Sequence, residues 1–244
     1  MSKYDKYFSD IKKLHELGKR TSEISRMLGI DGRRVSDQLK KNGLKSNEKI
    51  YSNKPTKNQE DILTSLAIGD GCIYKSKGNK NYRMNLAHSQ KQKYYFLEKY
   101  NQLKSFIETD YFIETQTHSK TGNKHTCYKF QTRVHPYYTE MHKKFYDNGK
   151  KIIPEDISEI LNEKIIAYKY FDDGHKTTSG YSLAMHDYDK ESIERLRKAI
   201  LKNFAIECNI HDEKRIYIPA IYRNKFTKIL LRYATKDLEY KLFL

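Results

Sequence analysis

Leu63-Thr-Ser-Leu-Ala-Ile-Gly-Asp-Gly71 is echoed by Ile166-Ala-Tyr-Lys-Tyr-Phe-Asp-Asp-Gly174, with Asp70 and Asp173 103 residues apart. Each stretch runs from a largely apolar segment of helical period straight into an acid followed by glycine. An acid placed where a helix ends faces the negative pole of the macrodipole, which prefers a cation. A bound divalent metal is the obvious compensation. Similar elements follow both stretches, so the chain reads as a duplication that offers one carboxylate per half.

Thr56 and Gln59 form a capping box that starts the first motif helix, which carries Ile62, Leu63 and Leu66. Beyond Gly71, Lys80–His88 alternates, with Met84 and Leu86 on one face and Arg83 and Asn85 on the other. A helix with Tyr95, Leu97, Tyr100, Leu103 and Phe106 as its apolar set comes next. Two strands then flank the turn at 119–124. The second sets Tyr128, Phe130 and Val134 against Lys129, Gln131 and Arg133. His135-Pro136 opens a further helix. The second half starts at Lys150-Lys-Ile-Ile-Pro154, and Asn162 caps its motif helix. Tyr181, Leu183 and Met185 form a strand there, and Ile193, Leu196, Ile200 and Leu201 a helix. Strands at 208–211 and 215–218 and a helix through Phe226, Ile229 and Leu230 complete it. An antiparallel sheet with an outward basic, amide-bearing face suits a DNA groove. Lysine and arginine neutralise phosphates there, and arginine and glutamine read base edges.

Residues 1–47 read as a separate helical module. Tyr7, Ile11 and Leu14 mark a first helix ended by Gly18, and Ile24, Met27 and Leu28 form one face of a second. Gly29 turns the chain, Asp31 caps a third helix carrying Val35 and Leu39, and Gly43 stops it. This is the pattern of a helix-turn-helix, whose third helix would present Arg33, Arg34, Ser36, Asp37 and Lys40 to a major groove. Its alternative is a three-helix bundle that contacts only protein. Residues 48–56 are polar and aperiodic, a linker.

The 244 residues carry 47 Lys and Arg against 31 Asp and Glu, a net charge of +16. That excess points to a polyanion, nucleic acid before membrane. Cys72, Cys127 and Cys208 are scattered without a C-x-x-C pair, as expected of reduced thiols in an intracellular, non-secreted protein. Neither a signal peptide nor a run long enough to span a bilayer is present in the sequence. The nine histidines form no H-x-x-x-H or H-N-H array, and no phosphate-cradling glycine loop is found.

At the two motifs the chain resembles the LAGLIDADG homing endonucleases in their single-chain, two-repeat form, of the omega-intron type, over roughly residues 57–244. Most hydrophobic motif positions and the final Asp-Gly match. The third position, usually glycine, is Ser65 and Tyr168; the fourth is Lys169 in the second copy; the sixth, usually acidic, is Ile68 and Phe171. The resemblance implies an α+β fold of two pseudo-symmetric αββαββα repeats, 57–150 and 151–244, with antiparallel DNA-binding sheets. The motif helices would pack side by side through Ala67, Gly69 and Ala167, bringing Asp70 and Asp173 together at the DNA. Crowded carboxylates favour Mg²⁺, two or more ions in this family. Alignment on the final Asp-Gly selects Asp173 over Asp172 as the catalytic acid, leaving Asp172 and Gly69 to offer the metal backbone carbonyls at most. Lys151 and Lys241 occupy the places of active-site lysines in omega-type enzymes. The implied activity is site-specific cleavage of double-stranded DNA by a monomer, at a long near-palindromic site, leaving 3′ overhangs. Two rival readings are a transcription regulator built on a LAGLIDADG-like domain and a maturase that binds its own intron RNA.

Overall fold

The computed structural model describes residues 7–17, 19–44, 54–107, 109–117, 122 and 124–243. Gly18, most of the 48–56 linker and most of the 119–124 turn lie outside the described residues. The chain divides into two compact units, Met1–Ser52 and Asn53–Leu244.

The smaller unit holds α1 (Phe8–Glu16), α2 (Thr21–Leu28) and α3 (Gly32–Lys41). Ile11, Ile24, Val35 and Leu39 are its buried core, with Tyr7, Leu14, Leu28, Ile30 and Leu44 packed around them. Gly29 leaves α2 with φ +62°, a left-handed turn that glycine takes without steric cost. The Asp31 carboxylate accepts the Arg33 backbone N–H at 2.8 Å and caps α3 as expected. Met27 departs from expectation: it is 59% exposed. Ile24 and Leu28, one turn apart, meet the neighbouring helices, and Met27 falls on the uncovered side.

In the larger unit the first repeat runs α4 (Lys57–Ile68), β1 (Cys72–Tyr74), β2 (Arg83–Ser89), α5 (Lys93–Leu103), β3 (Phe112–Thr117), β4 (Lys124–Gln131) and α6 (Pro136–Phe145). A hairpin of β5 (Tyr146–Asp147) and β6 (Lys150–Lys151), turned at Asn148-Gly149, and the short α7 (Ile157–Ile160) lead to the second repeat. That repeat runs α8 (Glu163–Asp173), β7 (Gly174–Lys176), β8 (Tyr181–Ala184), α9 (Lys190–Phe204), β9 (Asn209–His211), β10 (Arg215–Ile218) and α10 (Arg223–Leu231), followed by a 3₁₀ turn at Lys236–Lys241. The two four-stranded sheets have matching orders, β1-β2-β4-β3 and β7-β8-β10-β9, and every pairing is antiparallel. The αββαββα duplication is therefore explicit in the topology.

α4 and α8 pack against each other more extensively than any other described helix pair. All residues from Asp61 to Ile68 and from Lys164 to Phe171 are buried, so neither helix shows a single apolar stripe. One continuous hydrophobic core joins the repeats through them. The predicted caps hold: Thr56 with Gln59 on α4, and Asn162 Oδ1 accepting from Ile165 N at 3.0 Å on α8. One boundary differs. β4 ends at Gln131: Thr132 N still meets the Met84 carbonyl in register, but the Met84 N–H goes to the Thr132 hydroxyl and Arg133 N turns to the Phe106 carbonyl. Arg133 and Val134 thus follow the strand instead of extending its alternation.

Candidate active site

α4 ends at Ile68 and the chain turns at Gly69 before Asp70, whereas Asp173 is itself the last residue of α8. The packed helices deliver both acids to one place. Asp70 and Asp173 line a cavity of about 270 Å³ together with Gly69, Lys151, Lys169, His186 and Tyr188. Both side chains are about one-third exposed.

The acids have different surroundings. Asp173 is paired with Lys169, one turn earlier on the same helix, at 2.7 Å. Asp70 Oδ2 lies 3.4 Å from Nδ1 of the buried His88. Burial, followed by the charges of Asp172 and Asp173, pushes the Asp70 carboxyl up to about 7. Two carboxylates facing one cavity, with one held so far above its normal range, form a donor set that fits a divalent cation.

Asp172 does not face the cavity. Its side chain is fully buried, and Oδ1 accepts from Lys99 Nζ at 2.7 Å and from the Tyr95 hydroxyl at 2.9 Å. Its other oxygen accepts the Asp70 backbone N–H at 3.1 Å. Burial alone would raise the Asp172 carboxyl, but the Lys99 ammonium overrides it and holds the group below the usual carboxylate range. His88 Nε2 lies 3.2 Å from Lys99 Nζ, and burial with that lysine pushes the imidazole down to about 3, so it stays neutral. Asp70, His88 and Asp172 have the spacing of a metal cluster, yet the Lys99 ammonium already supplies the cation that Asp172 needs.

Lys151, on β6, donates to the Gly69 carbonyl, and Lys241, on the 3₁₀ turn, donates to the Phe171 carbonyl at 2.7 Å. Burial lowers both ammonium groups from the usual lysine range. The lysines selected by resemblance therefore reach the two motif-helix ends, Lys151 that of α4 and Lys241 that of α8.

On the first sheet, Asn85 stands opposite Gln131, and Arg83 and Lys129 are two residues along on the same face. Arg83 Nη1 donates to Gln131 Oε1 at 3.3 Å, and Lys129 pairs with Glu114 of β3. Arg133 is not in this array. In the smaller unit, Arg33, Arg34 and Lys40 are exposed on α3 and Ser36 is half-buried.

Four features escaped the sequence reading. Lys99 is one, although its place in the i, i+4 series Tyr95, Lys99, Leu103 marks it as a cation inside an apolar stripe. His88 at the end of β2 is another, and the pairing of Lys169, noted only as a departure from leucine, with Asp173 is a third. The fourth is the outer face of the second sheet, where Arg215 is opposite His211 and the Tyr217 ring stacks on His211 at 4.8 Å. Arg215 and Tyr217 alternating with Ile216 and Ile218 was its signal.

The model of the LAGLIDADG DNA endonuclease family matches residues 61–229. A probable intron-encoded endonuclease of Wickerhamomyces canadensis is 30% identical over 77% of this chain and 84% of its own. A cytochrome b mRNA maturase, bI2, of Debaryomyces hansenii is 27% identical over 82% and 79%. Among solved structures, the homing endonuclease I-WcaI bound to its DNA recognition sequence superposes with a TM-score of 0.72 at 25% identity, covering 83% of this chain and 96% of that one. With the family model spanning both motif helices and both sheets, the chain belongs to the LAGLIDADG DNA endonuclease family.

Proposed function

We propose that this homing endonuclease cuts both strands of a long, near-palindromic duplex site, leaving 3′ overhangs, with Asp70 and Asp173 as the paired cleavage carboxylates. The observation that carries the reading is their convergence on one cavity at the ends of two packed, duplicated helices. Mg²⁺ is the cation we assign, held by these two side chains and backbone carbonyls at the helix ends. When bound, it would supply a nucleophilic water and charge neutralisation at the scissile phosphates. Lys151 and Lys241, partly desolvated and close to the acids, supply positive charge for the phosphorane and the leaving oxygen. Asp172 is not given a side-chain metal role, because both its oxygens are engaged in the interior.

The outer sheet faces are the DNA-reading surfaces in this proposal. Arg83, Asn85, Gln131 and Lys129 serve on the first sheet, and Arg215, Tyr217 and His211 on the second. α3, with Arg33, Arg34, Ser36 and Lys40, adds contacts beyond the cleavage site as a helix-turn-helix reader. A second reading has its own support: the bI2 relative is named a maturase, so binding of intron RNA can accompany cleavage. The test is incubation with Mg²⁺ and duplexes made from the joined flanks of the gene. A single discrete double-strand cut supports the proposal. Sequence-specific binding with no cut under any divalent cation favours the regulator or maturase.

A further inference from the structure

The two motifs differ at the residue before the acid: Gly69 in the first, Asp172 in the second. The structure makes that difference a matched pair. A Cβ built on Gly69 would stand 2.3 Å from Asp172 Oδ2 and 3.1 Å from its carboxyl carbon. The Asp172 carboxylate thus occupies the space that a side chain at Gly69 would need, crossing from the second repeat into the first. There it accepts the Asp70 N–H. The flanking Gly69 and Gly71 N–H groups both donate to the Leu66 carbonyl, and the Asp70 N–H, past the last residue of α4, finds its acceptor in Asp172, whereas Asp173 still belongs to α8 and has its backbone fixed by the helix.

The counter-charge comes from the first repeat. Lys99 rises from α5, is itself fully buried, and spans Asp172 Oδ1, His88 and the Tyr95 ring, whose centroid is 3.9 Å from Nζ. The Tyr95 hydroxyl donates to the same carboxylate oxygen. Each of these hydrogen-bond donors to the Asp172 carboxylate thus belongs to the opposite repeat.

We propose that Asp172 and Lys99 form a buried cross-repeat strut that positions Asp70, with the Asp172 carboxylate acting as a backbone acceptor and not as a metal ligand. The inference rests on Asp70 being a cleavage carboxylate. Both residues are positioning residues: they touch neither DNA nor the reacting atoms. The strut explains why Gly69 is glycine and why only one motif carries a second aspartate. It also explains why a lysine interrupts the apolar stripe of α5.

Two double variants separate acceptor from charge. Lys99→Met with Asp172→Asn removes both charges and keeps an amide oxygen for the Asp70 N–H. Lys99→Met with Asp172→Leu removes the acceptor as well. Hydrogen exchange at the Asp70 amide in the metal-free protein, Ca²⁺-supported DNA binding and single-turnover cutting in Mg²⁺ are measured for each, beside Asp70→Asn. The Asn double is expected to keep amide protection and to cut within about tenfold of the parent protein, as for loss of charge from one hydrogen bond. The Leu double is expected to bind the same site, to exchange the Asp70 amide about tenfold faster, and to cut about a hundredfold more slowly, the scale of a misplaced reacting group. A folded Asn double as inactive as Asp70→Asn would overturn the proposal, because the Asp172 charge would then serve the cation. So would a Leu double that cuts as fast as the Asn double. If leucine prevents folding, protection and cutting in the Asn double decide alone. An Asp70→Asn variant that still cuts both strands instead defeats the cleavage reading on which the strut rests.

Discussion

The two repeats share a topology and are not interchangeable at their acids. The second acid ends a helix and is paired with Lys169 of that helix at 2.7 Å. The first stands past its helix and is fixed by a carboxylate from the other repeat. A duplicated fold supplies two equivalent positions; the side chains around them decide how each is held. The second acid is held within its own helix, while the hold on the first depends on the packing of both halves. The lysines are similarly divided, since Lys151 is delivered by a hairpin at the repeat junction and Lys241 by the last turn of the chain. That last turn is anchored across the repeats as well, with Asp237 accepting the Tyr94 N–H at 2.7 Å at the start of α5.

The comparison can be broken most directly with the buried lysines. Lys99→Met leaves Asp172 buried without its cation, a loss of about 3–5 kcal/mol of stability. Lys169→Met leaves a partner that is already part-exposed and is expected to cost about 1 kcal/mol. Urea denaturation of the two variants measures the difference, and equal losses would mean that the acids are held alike.

Smaller in energy is the effect of the two lysines at the motif-helix ends. Lys151→Met and Lys241→Met should each slow single-turnover cutting about a hundredfold with little change in affinity. A normal rate with weakened binding would make them phosphate anchors. Accumulation of nicked circles would show that each lysine serves one strand.

A further asymmetry concerns pH. Without metal, the raised Asp70 carboxyl binds its proton more tightly when folded than when unfolded. Its contribution to stability is therefore full below the unfolded value near 3.8 and is lost as pH rises through about 7. Ca²⁺ should accordingly raise the melting temperature more at pH 8 than at pH 5.5, and Asp70→Asn should remove that difference.

The smallest expected effect on the cleavage unit comes from the N-terminal module. Deleting residues 1–47 should shorten the footprint at one end and flatten the salt dependence by about one unit of slope per lost phosphate contact. The 53–244 unit has its own core and should still cut at high concentration. An unchanged footprint and slope would place the module at another DNA sequence.

Much of this was legible in the sequence because it depends on period. The motif helices, the alternation of β2 and β4, and the caps at Thr56, Asp31 and Asn162 are local patterns, and they appear where expected. The end of β4 was less accessible, since the Phe106 carbonyl that draws Arg133 away is remote in sequence. The Asp-Gly ending identified Asp70 and Asp173 without revealing their different supports. Those supports come from contacts made at long range, Lys99 to Asp172 across 73 residues and Asp70 to Asp172 across 102. A charge inside an apolar stripe was the available sign of such a contact.

The central claim is that each repeat contributes one carboxylate to a single cleavage centre. Asp70→Asn and Asp173→Asn, each assayed on supercoiled plasmid bearing the site in Mg²⁺, test it most directly. The account predicts that either change lowers cutting of both strands by about a thousandfold or more, with site-specific binding in Ca²⁺ retained. Full double-strand cutting by either variant would contradict it.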